Sequence, residues 1–174
     1  SAMSVIVTRA AGAGDLAAIT GIYADEVTNG TATFEIVPPD TAEMARRMEN
    51  LVADGYPWFV AERSGAVLGY AYAGPYRARP AYRNTVEDSI YLAREARGLG
   101  IGGTLLRLLI DDTTRRGFRQ MVGVIGDTEN IASLRLHRAA GFADVGTLRS
   151  VGYKLGGWLD SVLMQRTLGA GDTA

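Results

Sequence analysis

Glu87 stands in the apolar run Val86-Glu87-Asp88-Ser89-Ile90-Tyr91-Leu92, a few residues ahead of a glycine-rich turn. Strand alternation sends Glu87, Ser89 and Tyr91 to one face, and Val86, Asp88, Ile90 and Leu92 to the other. Partial burial raises a carboxylate's pKa toward neutrality, which suits Glu87 to accept a proton; an ion pair with an arginine is the plainer alternative. Farther on, Asn130, Ser133 and His137 fall at i, i+3 and i+7 and share one helix face. His137 is the chain's one histidine, able to transfer a proton near neutrality or simply to pack beside a ligand. Arg77 and Arg79 lie in the segment 74–83 with Tyr76 and Tyr82. A planar guanidinium grips a carboxylate through two N–H bonds at once, so these arginines suit an acidic small molecule unless the loop is merely solvated. Lys154, the only lysine, is a further candidate anchor, and Phe34 either packs or walls a site.

Composition removes several chemistries. The chain has no cysteine, which excludes disulfides, thiolate nucleophiles and cysteine-ligated metals, and one histidine cannot build a histidine-rich metal site. A formal net charge of −1 argues against a nucleic-acid surface, and no spanning segment or signal peptide is evident. The ligand is expected to be small, the setting cytoplasmic, and metal unnecessary.

These side chains need elements to position them. With 174 residues and 47% hydrophobic content, the chain can bury one substantial core, so one domain is expected over residues 4–169. Ser1-Ala2 ahead of Met3 reads as a cloning remnant, and the small, polar residues 170–174 are expected to fray. Val5–Val7 reads as a strand, Asp15 as a cap for a helix ending near Gly30, and Pro38-Pro39-Asp40 as the start of a second helix. Runs 58–62 and 67–73 form a hairpin around Ser64-Gly65. Strand 86–92 precedes the glycines, whose helix carries apolar residues at 101, 105, 108 and 109 and stops at Gly117. Then come strand 120–125, a helix capped by Asp127 or Thr128 and closed by Gly141, and two last strands, 145–153 and 158–168.

Glycines crowding a helix start free its backbone N–H groups, and the helix dipole adds partial positive charge there, a combination that binds phosphate. Gly98, Gly100 and Gly103 also satisfy a dinucleotide fingerprint. They lie mid-chain, however, and the nearest later acid after a strand, Asp127, is too far on. The segment Arg97-Gly98-Leu99-Gly100-Ile101-Gly102 instead resembles the pyrophosphate loop of the GNAT superfamily of N-acetyltransferases. Residues 130–142 resemble that family's second motif, with His137 where many members have a tyrosine. Over nearly its whole length the chain is similar to phosphinothricin acetyltransferases, through Thr31-Ala32-Thr33-Phe34, Gly69-Tyr70-Ala71-Tyr72, Val86–Tyr91, Leu136-His137 and Val151–Asp160.

The resemblance implies an α/β GNAT fold: a central mixed, mostly antiparallel sheet flanked by helices, in the order β-α-α-β-β-β-α-β-α-β-β. It implies acetyl-CoA as cosubstrate, held by the backbone of Ile90, Tyr91 and Leu92, by Arg97, Gly98, Leu99, Gly100, Ile101, Gly102 and Gly103, and by Asn130, Ser133 and His137. It implies Glu87 as base, an amino-acid-like acceptor such as phosphinothricin, methionine sulfoximine or methionine sulfone, and a homodimer; the candidate residues for that acceptor are Phe34, Tyr76, Arg77, Arg79, Tyr82 and Lys154. A GNAT enzyme acting on a protein or peptide amine, and an acetyl-CoA-binding module without turnover, remain open at this stage.

Overall fold

The computed structural model describes residues 5–173; the expected cloning remnant Ser1-Ala2 and Met3 lie outside them, as does Ala174. One seven-stranded sheet has the spatial order β1-β2-β3-β4-β5-β7-β6. Its strands are β1 Val7–Ala10, β2 Trp58–Arg63, β3 Ala66–Pro75, β4 Thr85–Leu92, β5 Gln120–Gly126, β6 Ala143–Lys154 and β7 Gly157–Thr167. The helices are α1 Leu16–Asn29, α2 Thr41–Ala53, α3 Ile101–Arg115 and α4 Ile131–Ala139. Every neighbouring pair is antiparallel except β4 and β5. The element order and sheet type are those expected.

The period of two along β3 divides its side chains between two cores. Tyr70 packs with Trp58, Val60 and α1 and α2 residues Ile19, Tyr23, Val27, Met44 and Met48. Ala71 and Ala73 face the other way, toward Leu105, Leu106 and Leu109 of α3 and Met121 of β5. Helices thus cover both faces of the central strands, which explains why those strands are apolar on both sides.

Local structure departs from expectation in three places. The first strand begins at Val7, and Val5 is 77% exposed. Asp15 precedes α1 but makes no capping bond to it; its carboxylate accepts from Arg9 and from the Gly12 N–H, each at 2.8 Å. A buried carboxylate beside a guanidinium gains more from that charge than from a helix N–H. Asp127, expected to cap α4, has φ of +82°, outside helical geometry, and Asn130 takes the role by accepting from the Ser133 N–H. Residues 170–173 form turns: Arg119 donates to the carbonyls of Gly171 and Thr173 at 2.7 and 2.9 Å.

The functional consequence of the fold lies between β4 and β5. Their parallel pairing runs from Thr85↔Gln120 to Glu87↔Val122 and stops. Beyond it β4 stays with β3 and β5 with β7, so the sheet opens immediately after Glu87. Gly123 permits the gap to be filled from α4, because a Cβ there would stand 2.8 Å from the His137 ring.

Candidate active site

Two cavities meet at the opening. The larger, of about 510 Å³, runs along the start of α3 and is lined by Ile90, Tyr91, Leu92, Arg97, Gly98, Gly100, Ile101, Gly102, Gly103, Asn130 and Ser133. Gly100 is the N-cap of α3 at φ +79° and offers no side-chain cap, so the first N–H groups of the helix remain for a ligand. At Gly102 a Cβ would press on Leu136 at 3.0 Å. Leu99 is 47% exposed and, alone within residues 97–103, stays out of the lining. Arg97 and Arg94 also border the cleft, bridged to Glu26 and Asp25 at 3.5 and 2.8 Å. Exposed N–H groups, a helix N-terminus and two arginines fit a pyrophosphate, and the β4 edge beyond Glu87, having lost its strand partner, offers backbone groups to an extended chain.

Gly100→Val tests this cleft. A β-branched residue resists positive φ and would fill the space left for phosphate, so acetyl-CoA affinity measured by calorimetry should fall at least about tenfold in a folded variant. Parental affinity would remove the cleft from consideration.

The second cavity, of about 250 Å³, is lined by Phe34, Glu87, Asp88, Ser89, Ile90, Tyr91, Val124, Gly126, Ser133, His137 and Ser161. Ile90, Tyr91 and Ser133 border both spaces. Burial pushes the Glu87 carboxyl up to about 7; the Asp88 charge adds to this and Arg77 partly offsets it. At neutral pH such a group is divided between its acid and base forms, as a proton acceptor should be.

The loop 31–35 closes one side of this cavity. Phe34 lies over Gly126 and Gly152, at both of which a Cβ would collide with its ring. Beneath it, Tyr23 Oη lies 2.8 Å from Thr33 Oγ1 and donates to Glu35 at 2.7 Å. Lys154 is buried here, donating to the Thr33 carbonyl at 2.8 Å, and does not line the Glu87 cavity. Its ammonium, expected near the acceptor, ties down the loop 31–35.

Tyr76 and Tyr82 meet edge to face at 5.6 Å beside a neighbouring hollow of about 240 Å³ on the same sheet face, next to Thr85 and Val122. Arg77 and Arg79 are exposed and border neither cavity; Arg77 lies over the Tyr76 ring at 5.1 Å. His137, expected at the cofactor, lines the Glu87 cavity and is absent from the glycine cleft. Its Nε2 is 2.7 Å from Asp88 Oδ2, and its Nδ1 donates to the Ser133 carbonyl at 2.7 Å. Sequence reasoning missed Asp88: the alternation along β4 correctly set it opposite Glu87, but nothing local ties it to a residue 49 positions away.

Comparison with known proteins gives consistent relatives. The model of the acetyltransferase (GNAT) family matches residues 17–142. A phosphinothricin N-acetyltransferase of Alcaligenes faecalis is 55% identical over 159 residues, covering 91% of this chain and 81% of the relative. An L-methionine sulfoximine/L-methionine sulfone acetyltransferase of Pseudomonas aeruginosa is 41% identical, covering 92% and 93%. A solved phosphinothricin acetyltransferase of Sinorhizobium meliloti in complex with acetyl-CoA superposes with a TM-score of 0.93 at 50% identity, covering 96% of this chain and 90% of that one.

Proposed function

The chain belongs to the GNAT family of acetyltransferases, and on that premise we propose that Glu87 deprotonates the amine of a small amino-acid acceptor, which then takes the acetyl group of acetyl-CoA directly. The observation that carries this is the placement of a carboxyl raised to about 7 in a small cavity that joins the glycine cleft. An amine of pKa about 8 to 10 is mostly protonated at neutral pH and must lose a proton before attack. Glu87 is the base, a backbone N–H on the free edge of β4 steadies the developing oxyanion, and no covalent enzyme intermediate is required. Arg97 and the glycines of the α3 turn hold the pyrophosphate, and Asn130 borders the same cleft.

The volume of about 250 Å³ sits below the usual range for drug-sized ligands and matches a free amino acid better than a peptide. Relatives named for phosphinothricin and for methionine sulfoximine and sulfone support that class. Turnover of methionine sulfone, phosphinothricin and a lysine peptide should be measured side by side. Acetylation of the first two with little of the third is expected; preference for the peptide would overturn the reading.

Arg77 lies outside the lining of both cavities but acts on Glu87 through charge, and by the same charge it would pair with the acceptor's carboxylate or phosphinate. Arg77→Ala should raise acceptor KM by roughly tenfold or more, the loss expected for a charge-assisted pair, and leave acetyl-CoA affinity unchanged. An unchanged acceptor KM would return Arg77 to the solvent.

The homodimer has its support on the β6–β7 edge, where Val145, Leu148, Val151, Tyr153, Leu155 and Trp158 are all 50% or more exposed. A cluster of this size on an edge strand is typical of an interface. Sedimentation should give a dimer, and Trp158→Glu should shift it toward monomer; a monomeric parent refutes it. No helix among the described residues is long and apolar enough to cross a membrane, and a supply of acetyl-CoA favours the cytoplasm.

A further inference from the structure

We propose that Glu26 takes Arg97 back from the pyrophosphate of coenzyme A and thereby speeds departure of that product. The inference rests on the acetyl-transfer reading above, with Arg97 as a pyrophosphate ligand. Arg97 has its Nη2 3.5 Å from Glu26 Oε2, and both residues line the glycine cleft. At that length the pair is a charge contact rather than a charge-assisted hydrogen bond, which runs at about 2.8 Å, so it breaks and re-forms readily. The carboxylate is the fixed partner. Glu26 Oε1 accepts from the Ala32 N–H at 3.0 Å, and the space that a Cβ on Gly30 would fill is already taken by the Glu26 carboxyl. Its side chain is 15% exposed against 56% for Arg97. Breaking the bridge therefore moves the arginine and leaves the carboxylate where it was.

Helix stability does not account for the acid. Asp25 and Glu26 lie near the C-terminus of α1, where the helix dipole disfavours negative charge, and the last turn carries no basic residue to offset them. They serve the arginines at the cleft instead. Asp25 accepts from Arg94 at 2.8 and 3.3 Å, whereas Glu26 meets Arg97 by charge alone, so the second pair is the one that exchanges. Lys154 also reaches this end of α1, but it donates to the main-chain carbonyls of Glu26 and Thr33, at 3.5 and 2.8 Å, and leaves the carboxylate to Arg97.

A pyrophosphate offers a guanidinium more charge and more acceptor oxygens than one carboxylate does, so bound coenzyme A draws Arg97 off Glu26. The held carboxylate then waits without its partner, and recovering it favours release. Product and cosubstrate share the pyrophosphate, so binding energy from that group tightens both alike; it lowers KM without raising kcat and retards product departure. A competing carboxylate weakens that part of the binding alone. Glu26 touches no reacting atom and acts through Arg97.

Glu26→Gln removes the charge and keeps an oxygen for the Ala32 N–H. Calorimetry should show coenzyme A bound about two- to fivefold more tightly, the worth of one partly exposed ion pair, and stopped-flow displacement should show the gain as slower dissociation. With S-acetylpantetheine as donor, which has no pyrophosphate, kcat/KM should be parental; a fall there would make the role structural and overturn the proposal. Arg97→Ala should weaken coenzyme A binding, and adding Glu26→Gln to it should change affinity little further. Unchanged or weaker binding in Glu26→Gln, or an equal gain in the Arg97→Ala background, which means plain repulsion of phosphate, would each overturn the exchange. So would a crystal structure of the parent with coenzyme A in which Arg97 stays on Glu26, and that structure decides even if Glu26→Gln misfolds. Parental affinity in Arg97→Ala would remove the pyrophosphate role of Arg97 itself, and the inference with it.

Discussion

Glu87→Gln should lower kcat by roughly 10² to 10⁴ while acetyl-CoA affinity hardly moves. The amide keeps the shape of the side chain and most of its hydrogen bonding but has no lone pair of comparable basicity. Because the carboxyl titrates at about 7, kcat/KM in the parent should decline as pH falls through that value, as the base is lost. The glutamate's share of that limb should vanish in the variant, leaving the amine's own titration, and an acceptor of lower amine pKa should partly restore the rate. Stability moves oppositely to activity. The native pKa of Glu87 is raised above its unfolded value of about 4.3, so the native state binds the extra proton between them. Its contribution is present below pH about 4.3 and lost as pH rises through about 7. Glu87→Gln should therefore raise Tm at pH 8 relative to the parent and change it little at pH 4. Near-parental kcat at neutral pH would mean that the amine arrives already neutral.

Gly126→Val should cost about 1–3 kcal/mol of stability and raise KM for both substrates. A Cβ on Gly126 would run into the Thr31 carbonyl oxygen and stand 3.0 Å from the Phe34 ring. The first contact sets a Cβ, whose place the backbone fixes, against a backbone oxygen, so no rotamer relieves it, and the loop 31–35 must lift. That loop borders both spaces, through Thr31 and Ala32 at the glycine cleft and Phe34 at the Glu87 cavity. Lys154 and Tyr23 hold it from below, so lifting it also strains their bonds to Thr33. Gly21, on the exposed side of α1 with nothing within 4 Å of an added Cβ, is the control: Gly21→Ala should stabilise by about 0.5–1 kcal/mol. Parental denaturation midpoints and KM values in Gly126→Val would show that the loop moves freely and does not shape the site.

The sequence by itself determined the features whose causes are local. The 3.6-residue period of α3, the alternation of β4 that parts Glu87 from Asp88, the Ser64-Gly65 turn and the glycine cluster before α3 all depend on neighbours a few positions apart. They sufficed for the order of elements and for a phosphate-binding helix start. Helix entry was less legible, because Asp15 and Asp127 have the letters of caps but distant partners or positive φ decide their use. Tertiary structure alone decided what lies across the opening of the sheet. Pairing between β4 and β5 ends at Glu87, and His137 comes from 49 residues beyond Asp88 to fill the gap; no local pattern encodes such a meeting. It also set Lys154 against the Thr33 carbonyl, because a buried ammonium bonds whatever acceptor the fold brings within reach.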